Sequence, residues 1–106
     1  MPEKTIMLAC SAGMSTSLLV TKMQAAAKEQ GLDAKIYAVS VSEVPQQLEK
    51  EVIDIILLGP QVRYAEKQVA QQIGERDVKL DVINMSDYGL MHGGNVLAAA
   101  LEKLNN

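Results

Sequence analysis

One cysteine, Cys10, is followed by Ser11-Ala12-Gly13-Met14-Ser15-Thr16-Ser17, a segment that is small or hydroxylated except at Met14. A strand-like run, Thr5 to Ala9, precedes it and a helical pattern follows. Gly13 can adopt dihedrals closed to other residues, so the segment can curl with successive backbone N–H groups turned inward, making an anion nest. The helix behind it adds its positive end and unpaired amides. Ser15, Thr16 or Ser17 is expected to cap that helix, leaving the other hydroxyls free to donate to an anion. The same field favours the thiolate, the nucleophilic form of cysteine. A thiolate beside a phosphate nest is placed for in-line attack on phosphorus, and the nest stabilises the equatorial oxygens of the transition state. The site expected from the sequence is therefore Cys10 as nucleophile with Ser11, Ala12, Gly13, Met14, Ser15, Thr16 and Ser17 binding phosphate. The loop is classed as a P-loop and the chemistry as a kinase-type phosphoryl transfer.

The elements that position this loop follow from periodicity. Ser15 to Gln30 reads as a helix with Leu19, Met23, Ala26 and Ala27 on one face, stopped by Gly31. Ala34 to Val39 alternates as a second strand, and Ser42 is expected to cap a short helix running to about Lys50. Val52 to Leu58 is an apolar strand broken only by Asp54 and ended by Gly59-Pro60. Val62, Ala65, Val69 and Ile73 form a third helical stripe stopped by Gly74, Val78 to Ile83 a fourth strand, and Leu97, Ala100, Leu101 and Leu104 a last helical stripe. Strands joined by helical crossovers are parallel, and the crossovers are right-handed. Central parallel strands are continuously apolar while edge strands alternate. The first and third runs are therefore central. The prediction is an α/β fold: a four-stranded parallel sheet of order 2-1-3-4 with helices on both faces, one domain over residues 1–106. The chain reverses direction between the first and third strands, and ligands in such sheets bind outside the carboxyl ends at that switch point. Cys10 ends the first strand there; Gly59-Pro60-Gln61 ends the third.

Composition narrows the function. The chain has 106 residues, a net charge of −3 and only three aromatic residues, all tyrosine. Neither a basic face nor stacking aromatics are present for nucleic acid. No apolar run is long enough to span a bilayer, no secretory signal is visible, and a lone thiol fits a reducing cytoplasm. No cofactor is implied, and one cysteine and one histidine without ligand spacing make no metal site.

The spacing C-x5-R-[ST] of tyrosine phosphatase loops is approached but broken, because Thr16 stands where the phosphate-clamping arginine would be, and Arg63 and Arg76 lie far along the chain. Asp87, in Ser86-Asp87-Tyr88-Gly89, is a relic of a phosphatase acid loop or, on the more ordinary reading, a turn aspartate. Without the arginine a phosphocysteine forms but hydrolyses poorly, which suits a carrier. A small cysteine phosphatase and a non-catalytic anion-binding module are the alternatives; a multi-cysteine arsenate reductase is excluded by the single thiol.

Cys10-Ser11-Ala12-Gly13-Met14-Ser15-Thr16-Ser17-Leu18-Leu19-Val20 resembles the start of the enzyme IIB component of the bacterial phosphoenolpyruvate-dependent sugar phosphotransferase system (PTS), lactose/cellobiose family. Leu57-Leu58-Gly59-Pro60-Gln61-Val62, and Tyr88-Gly89 followed by Gly93, are similar to its later blocks. The resemblance implies a flavodoxin-like or low-molecular-weight-phosphatase-like domain. It implies that a phosphohistidine of a IIA protein donates to Cys10, and that phosphocysteine donates to a sugar, cellobiose or a similar disaccharide, bound in membrane IIC. His92, the only histidine, is read as an exposed turn residue. Pro60 and Gln61 could shape the far wall of the pocket. Tyr64 and Tyr88 are read as packing residues, and Met7, Met23 and Met85 as core filler. Met14 is read as an exposed loop residue for partner docking.

Overall fold

The computed structural model describes residues 3–11 and 14–105, with the side chains of Met14 and Ser15 outside that description. Four strands, β1 (Lys4–Cys10), β2 (Ala34–Ser40), β3 (Ile55–Leu58) and β4 (Lys79–Val82), alternate with helices α1 (Met14–Glu29), α2 (Val44–Lys50), α3 (Glu66–Ile73), α4 (Met85–Gly89) and α5 (Gly93–Leu104). Short 3-10 helices, Val41–Glu43 and Pro60–Ala65, lead into α2 and α3. All pairings are parallel and the order is β2-β1-β3-β4, as the apolar pattern requires. From Thr5 onward β1 is buried at every position, as is all of β3, whereas β2 and β4 are mostly half-buried edges.

Alternate residues of β1 feed two cores. Ile6 and Leu8 pack with Leu19, Met23 and Ala27 of α1 and Leu97 and Ala100 of α5. Met7 and Ala9 pack on the other face with Val44 and Leu48 of α2 and Val62, Val69 and Ile73 of the segment around α3. The two-residue period of the strand thus assigns each helix pair to a face.

Several boundaries differ from the sequence reading. Val52 is 87% exposed, and β3 begins only at Ile55. Asp54 stands outside the strand, where its carboxylate accepts the Thr5 N–H at 2.7 Å. Ser40, not Ser42, is the cap after β2: its hydroxyl accepts the Ser42 N–H at 3.4 Å, while Glu43 accepts the Ser40 N–H at 3.2 Å, a reciprocal capping box. The segment after β4, read as a turn, is the helical turn α4, capped by Asn84, whose side chain accepts the Asp87 N–H at 3.1 Å. Met85 at its start is 68% exposed and fills no core, unlike Met7 and Met23, which are fully buried.

Gly93 sets the distance between α5 and α1. A Cβ there would lie 2.6 Å from the carbonyl carbon of Lys22 and 2.7 Å from the Met23 nitrogen, so the amino end of α5 rests on the α1 backbone. Gly74, at φ +60°, ends α3 in a region side chains disfavour.

Candidate active site

Cys10 closes β1 at the carboxyl edge of the sheet, level with Ser40 of β2 and one residue beyond the last β1–β3 partner pair, Ala9 and Leu58. The connection to α1 is shorter than the sequence suggests, because the helix already begins at Met14. Met14 therefore belongs to α1 rather than to a loop. Ser15, Thr16 and Ser17 are its first-turn residues rather than its caps. Ala12 and Gly13, where the nest was expected to turn, lie outside the described residues; Ser11 is an exposed bend residue.

Among the described residues of this set, Thr16 reaches the sulfur. Its hydroxyl donates to Cys10 Sγ at 2.8 Å, and Thr16 is 2% exposed. The same oxygen lies 2.8 Å from the phenol oxygen of Tyr88, brought in by α4 from 72 residues away. A threonine hydroxyl carries one proton. With that proton on the sulfur, Tyr88 must be the donor to Thr16, and the chain runs Tyr88 to Thr16 to Cys10. Tyr88 is buried, as a packing residue would be, but its hydroxyl is also wired to the site. Tyr64, read the same way, is 77% exposed.

Cys10 is mostly covered, yet it borders an open cavity of about 260 Å³. One wall is Thr16 and Ser17 from α1; the other is Ala38, Val39 and Ser40 from β2, with Glu43 beyond them. That second wall was missed in the sequence, where Pro60 and Gln61 were the candidates. The β3 side is closed instead: the Gly59 N–H donates to Ala9 O at 2.9 Å, and a Cβ on Gly59 would lie 3.3 Å from Cys10 Cβ. The parallel register carries the signal for the β2 side, since it sets Ser40 beside Cys10.

Among the described residues the lining supplies hydroxyls and a carboxylate but no cation. Arg76 is turned away, donating to the carbonyls of Gln72 and Ile73. Asp87 does not face the sulfur's cavity; its carboxylate accepts from Asn95 Nδ2 at 3.1 Å and lies 3.2 Å from His92 Nδ1. Among the described residues no group of His, Cys, Asp and Glu could hold a metal ion.

A 2-1-3-4 parallel sheet with a cysteine ending its first strand, a helix starting behind it and a hydroxyl-lined cavity at the sulfur defines a flavodoxin-like phosphoryl-transfer domain. The family described as "PTS system, Lactose/Cellobiose specific IIB subunit" matches residues 5–99. The galactose-specific EIIB component of Lactococcus lactis subsp. cremoris (strain MG1363) is 48% identical over 108 residues, covering 99% of this chain and 100% of that protein. The cellobiose-specific EIIB component of Lactococcus lactis subsp. lactis (strain IL1403) is 47% identical with the same coverage. The oligo-beta-mannoside-specific EIIB component of Bacillus subtilis (strain 168) is 37% identical, covering 97% of this chain and 98% of its own length. The solution structure of a cellobiose-specific IIB component from Borrelia burgdorferi superposes with a TM-score of 0.79 at 33% identity, covering 99% of this chain and 94% of that one. A lactose-specific IIB domain from Streptococcus pneumoniae, at 15% identity, shares the fold with a TM-score of 0.85 over 96% of this chain and 98% of that one. The chain belongs to the lactose/cellobiose-specific IIB family and is a phosphotransferase of sugar uptake.

Membership overturns two parts of the sequence reading. The loop is not a P-loop and the protein is not a kinase. A P-loop is G-x-x-x-x-G-K-[ST], with a lysine reaching the nucleotide phosphates. Residues 10–17 contain no lysine, and the sheet around them is that of IIB domains.

Proposed function

We propose that Cys10 is the phosphoryl acceptor, taking the group from a phosphohistidine of a IIA protein, holding it as phosphocysteine, and passing it to a sugar bound by membrane IIC. Ser11, Ala12, Gly13, Met14, Ser15, Thr16 and Ser17 form its phosphate-binding segment, in which the Thr16 hydroxyl already reaches the sulfur. The sugar is cellobiose or a similar disaccharide, and transfer takes place on the cytoplasmic side of the membrane.

The observation that carries this reading is the hydroxyl hydrogen bond onto the sulfur at the edge of a cavity without a cation. A phosphatase holds its substrate with arginine and hydrolyses the thiophosphate with an acid that activates water. Neither an arginine nor Asp87 lines this cavity. Glu43 does, with its carboxylate engaged by the Ser40 N–H. Partner docking at this end is supported by exposed apolar side chains. Leu18, Tyr64, Met85 and Leu90 are 49 to 77% exposed and follow the carboxyl ends of β1, β3 and β4 along the chain, while Val52, at 87%, precedes β3. No helix among the described residues is long and apolar enough to cross a membrane, so the membrane step falls to a partner.

Intact-protein mass spectrometry after incubation with a phosphorylated IIA protein tests the assignment. One phosphoryl group is expected on the wild type and none on Cys10→Ser. Acceptance surviving that change overturns it. Steady turnover of an aryl phosphate would instead favour a phosphatase.

A further inference from the structure

We propose that Tyr88 is a positioning residue for phosphoryl transfer at Cys10, acting through Thr16; the proposal rests on Cys10 being the acceptor. Thr16 sits in the first turn of α1, where a threonine hydroxyl can rotate to bond a carbonyl of the preceding turn or chain. Such rotation would take its proton away from the sulfur. Tyr88 removes that freedom. Its phenol donates to Thr16 Oγ1 at 2.8 Å, occupying the acceptor side of the oxygen and leaving the proton to point at Sγ, also 2.8 Å away. Both residues are buried, Thr16 at 2% and Tyr88 at 7% exposed.

The step balances without further groups. A sulfur lone pair forms the S–P bond as the P–N bond of the donor phosphohistidine breaks, its electron pair leaving on the imidazole nitrogen, which takes up the proton the thiol gives up. The Thr16 and Tyr88 protons stay on their own oxygens. As the sulfur lone pair passes into the new bond, the Thr16 O–H transfers its hydrogen bond from sulfur to a phosphoryl oxygen. A hydroxyl already aimed at the reacting atoms needs no reorganisation in the transition state, which places the gain in kcat rather than in donor binding.

The test is the rate of Cys10 phosphorylation by a phosphorylated IIA protein. Tyr88→Phe keeps the ring and its packing while deleting the hydroxyl. It should lower kcat by roughly threefold to tenfold, the order expected for losing one hydrogen bond between neutral groups, with KM for the donor unchanged. Thr16→Val should fall at least as far as Tyr88→Phe, and Tyr88→Phe should have no further effect in the Thr16→Val background. Tyr88→Phe at the wild-type rate, or an equal loss with and without the Thr16 hydroxyl, overturns the role of Tyr88 while leaving Cys10 as acceptor. Acceptance surviving in Cys10→Ser overturns the acceptor assignment and this role with it.

Discussion

Replacing Gly93 with alanine probes the contact that holds α5 against α1 behind the site. The added Cβ would lie 2.6 Å from both the carbonyl carbon and Cβ of Lys22, and 2.7 Å from the Met23 nitrogen. Optimal carbon contacts are about 3.5 to 4.0 Å, so the shortfall is about 1 Å. Two of the three neighbours are helical backbone, which cannot swing aside as a side-chain tip could. The amino end of α5 must therefore lift from α1 by about that distance, loosening the packing of Met23 against Leu97 and Ala100. Overpacking of a core costs about 1 to 3 kcal/mol. Because the obstruction is backbone, the upper end applies, and at about 4 to 8 °C per kcal/mol the melting temperature should fall by roughly 10 to 25 °C. Gly94→Ala is the matched control. It follows in the same helix, but nothing lies within 4 Å of its Cβ position. There alanine should be neutral or stabilise by up to about 1 kcal/mol. Thermal unfolding by circular dichroism compares the three proteins. If Gly93→Ala melts with the wild type, or if Gly94→Ala loses as much, the close approach of α1 and α5 is wrong.

Ser40→Ala removes the cap between β2 and α2 and should cost about 1 kcal/mol in urea unfolding; an unchanged midpoint would contradict the capping box. Gly59→Ala would press a methyl against Cys10 Cβ, so donor-dependent phosphorylation should slow in a protein that remains folded; a wild-type rate would show that the sulfur's placement tolerates displacement. The Tyr37 phenol is raised above the ordinary tyrosine range, first by burial and then by the Glu51 carboxylate, with Lys35 opposing. A raised folded value means this stability is complete below the unfolded tyrosine value of about 10 and is lost as pH rises through the folded one. A tyrosinate absorbance titration should therefore lose a component ionising above the ordinary tyrosine range in Tyr37→Phe. Lys35 is raised and Glu51 lowered chiefly by their mutual hydrogen bond. The pair's contribution is full between the two unfolded values, fades as pH falls through the Glu51 value or rises through the Lys35 value, and is screened by salt. Glu51→Gln should thus narrow the stability difference between low and high salt, and equal salt responses would remove the pair from consideration.

The strand order was readable because burial on two faces leaves an uninterrupted apolar run, as in Ile6 to Ala9 and Ile55 to Leu58, while edge strands keep polar positions such as Lys35 and Asp81. The third helical stripe was equally open: Val62 and Ala65, in the 3-10 helix Pro60–Ala65, and Val69 and Ile73 of α3 are all buried. The capping serine was misassigned although Ser40-Val41-Ser42-Glu43 has the capping-box spacing; Ser42 sits closer to the apolar residues and drew the reading. Helix α4 is five residues long, too short for a period, and only Asn84 three residues before Asp87 signals it. Cys10 and Thr16 were singled out because a strand–loop–helix turn puts them together locally. Ser40 and Glu43 required the register of β2 against β1, and Tyr88 required the packing of α4 near α1. No local pattern encodes a contact across 72 residues.

A carrier must bind its phosphoryl group firmly enough to be loaded and loosely enough to be unloaded, and must keep water from taking it first. A guanidinium in the cavity would stabilise the transition state for every acceptor, water included. On the proposed function this site relies instead on neutral donors: the hydroxyl of Thr16, with Ser17 and Ser40 on the walls. Neutral donors stabilise transition-state charge less than a cation does, so more of the rate depends on the attacking group being positioned by something else. On that same proposal the something else is a docked partner that presents its histidine or sugar at the cavity. Water has no such docking energy. The same absence of a cation that makes the site a poor phosphatase therefore makes its transfer conditional on the partner.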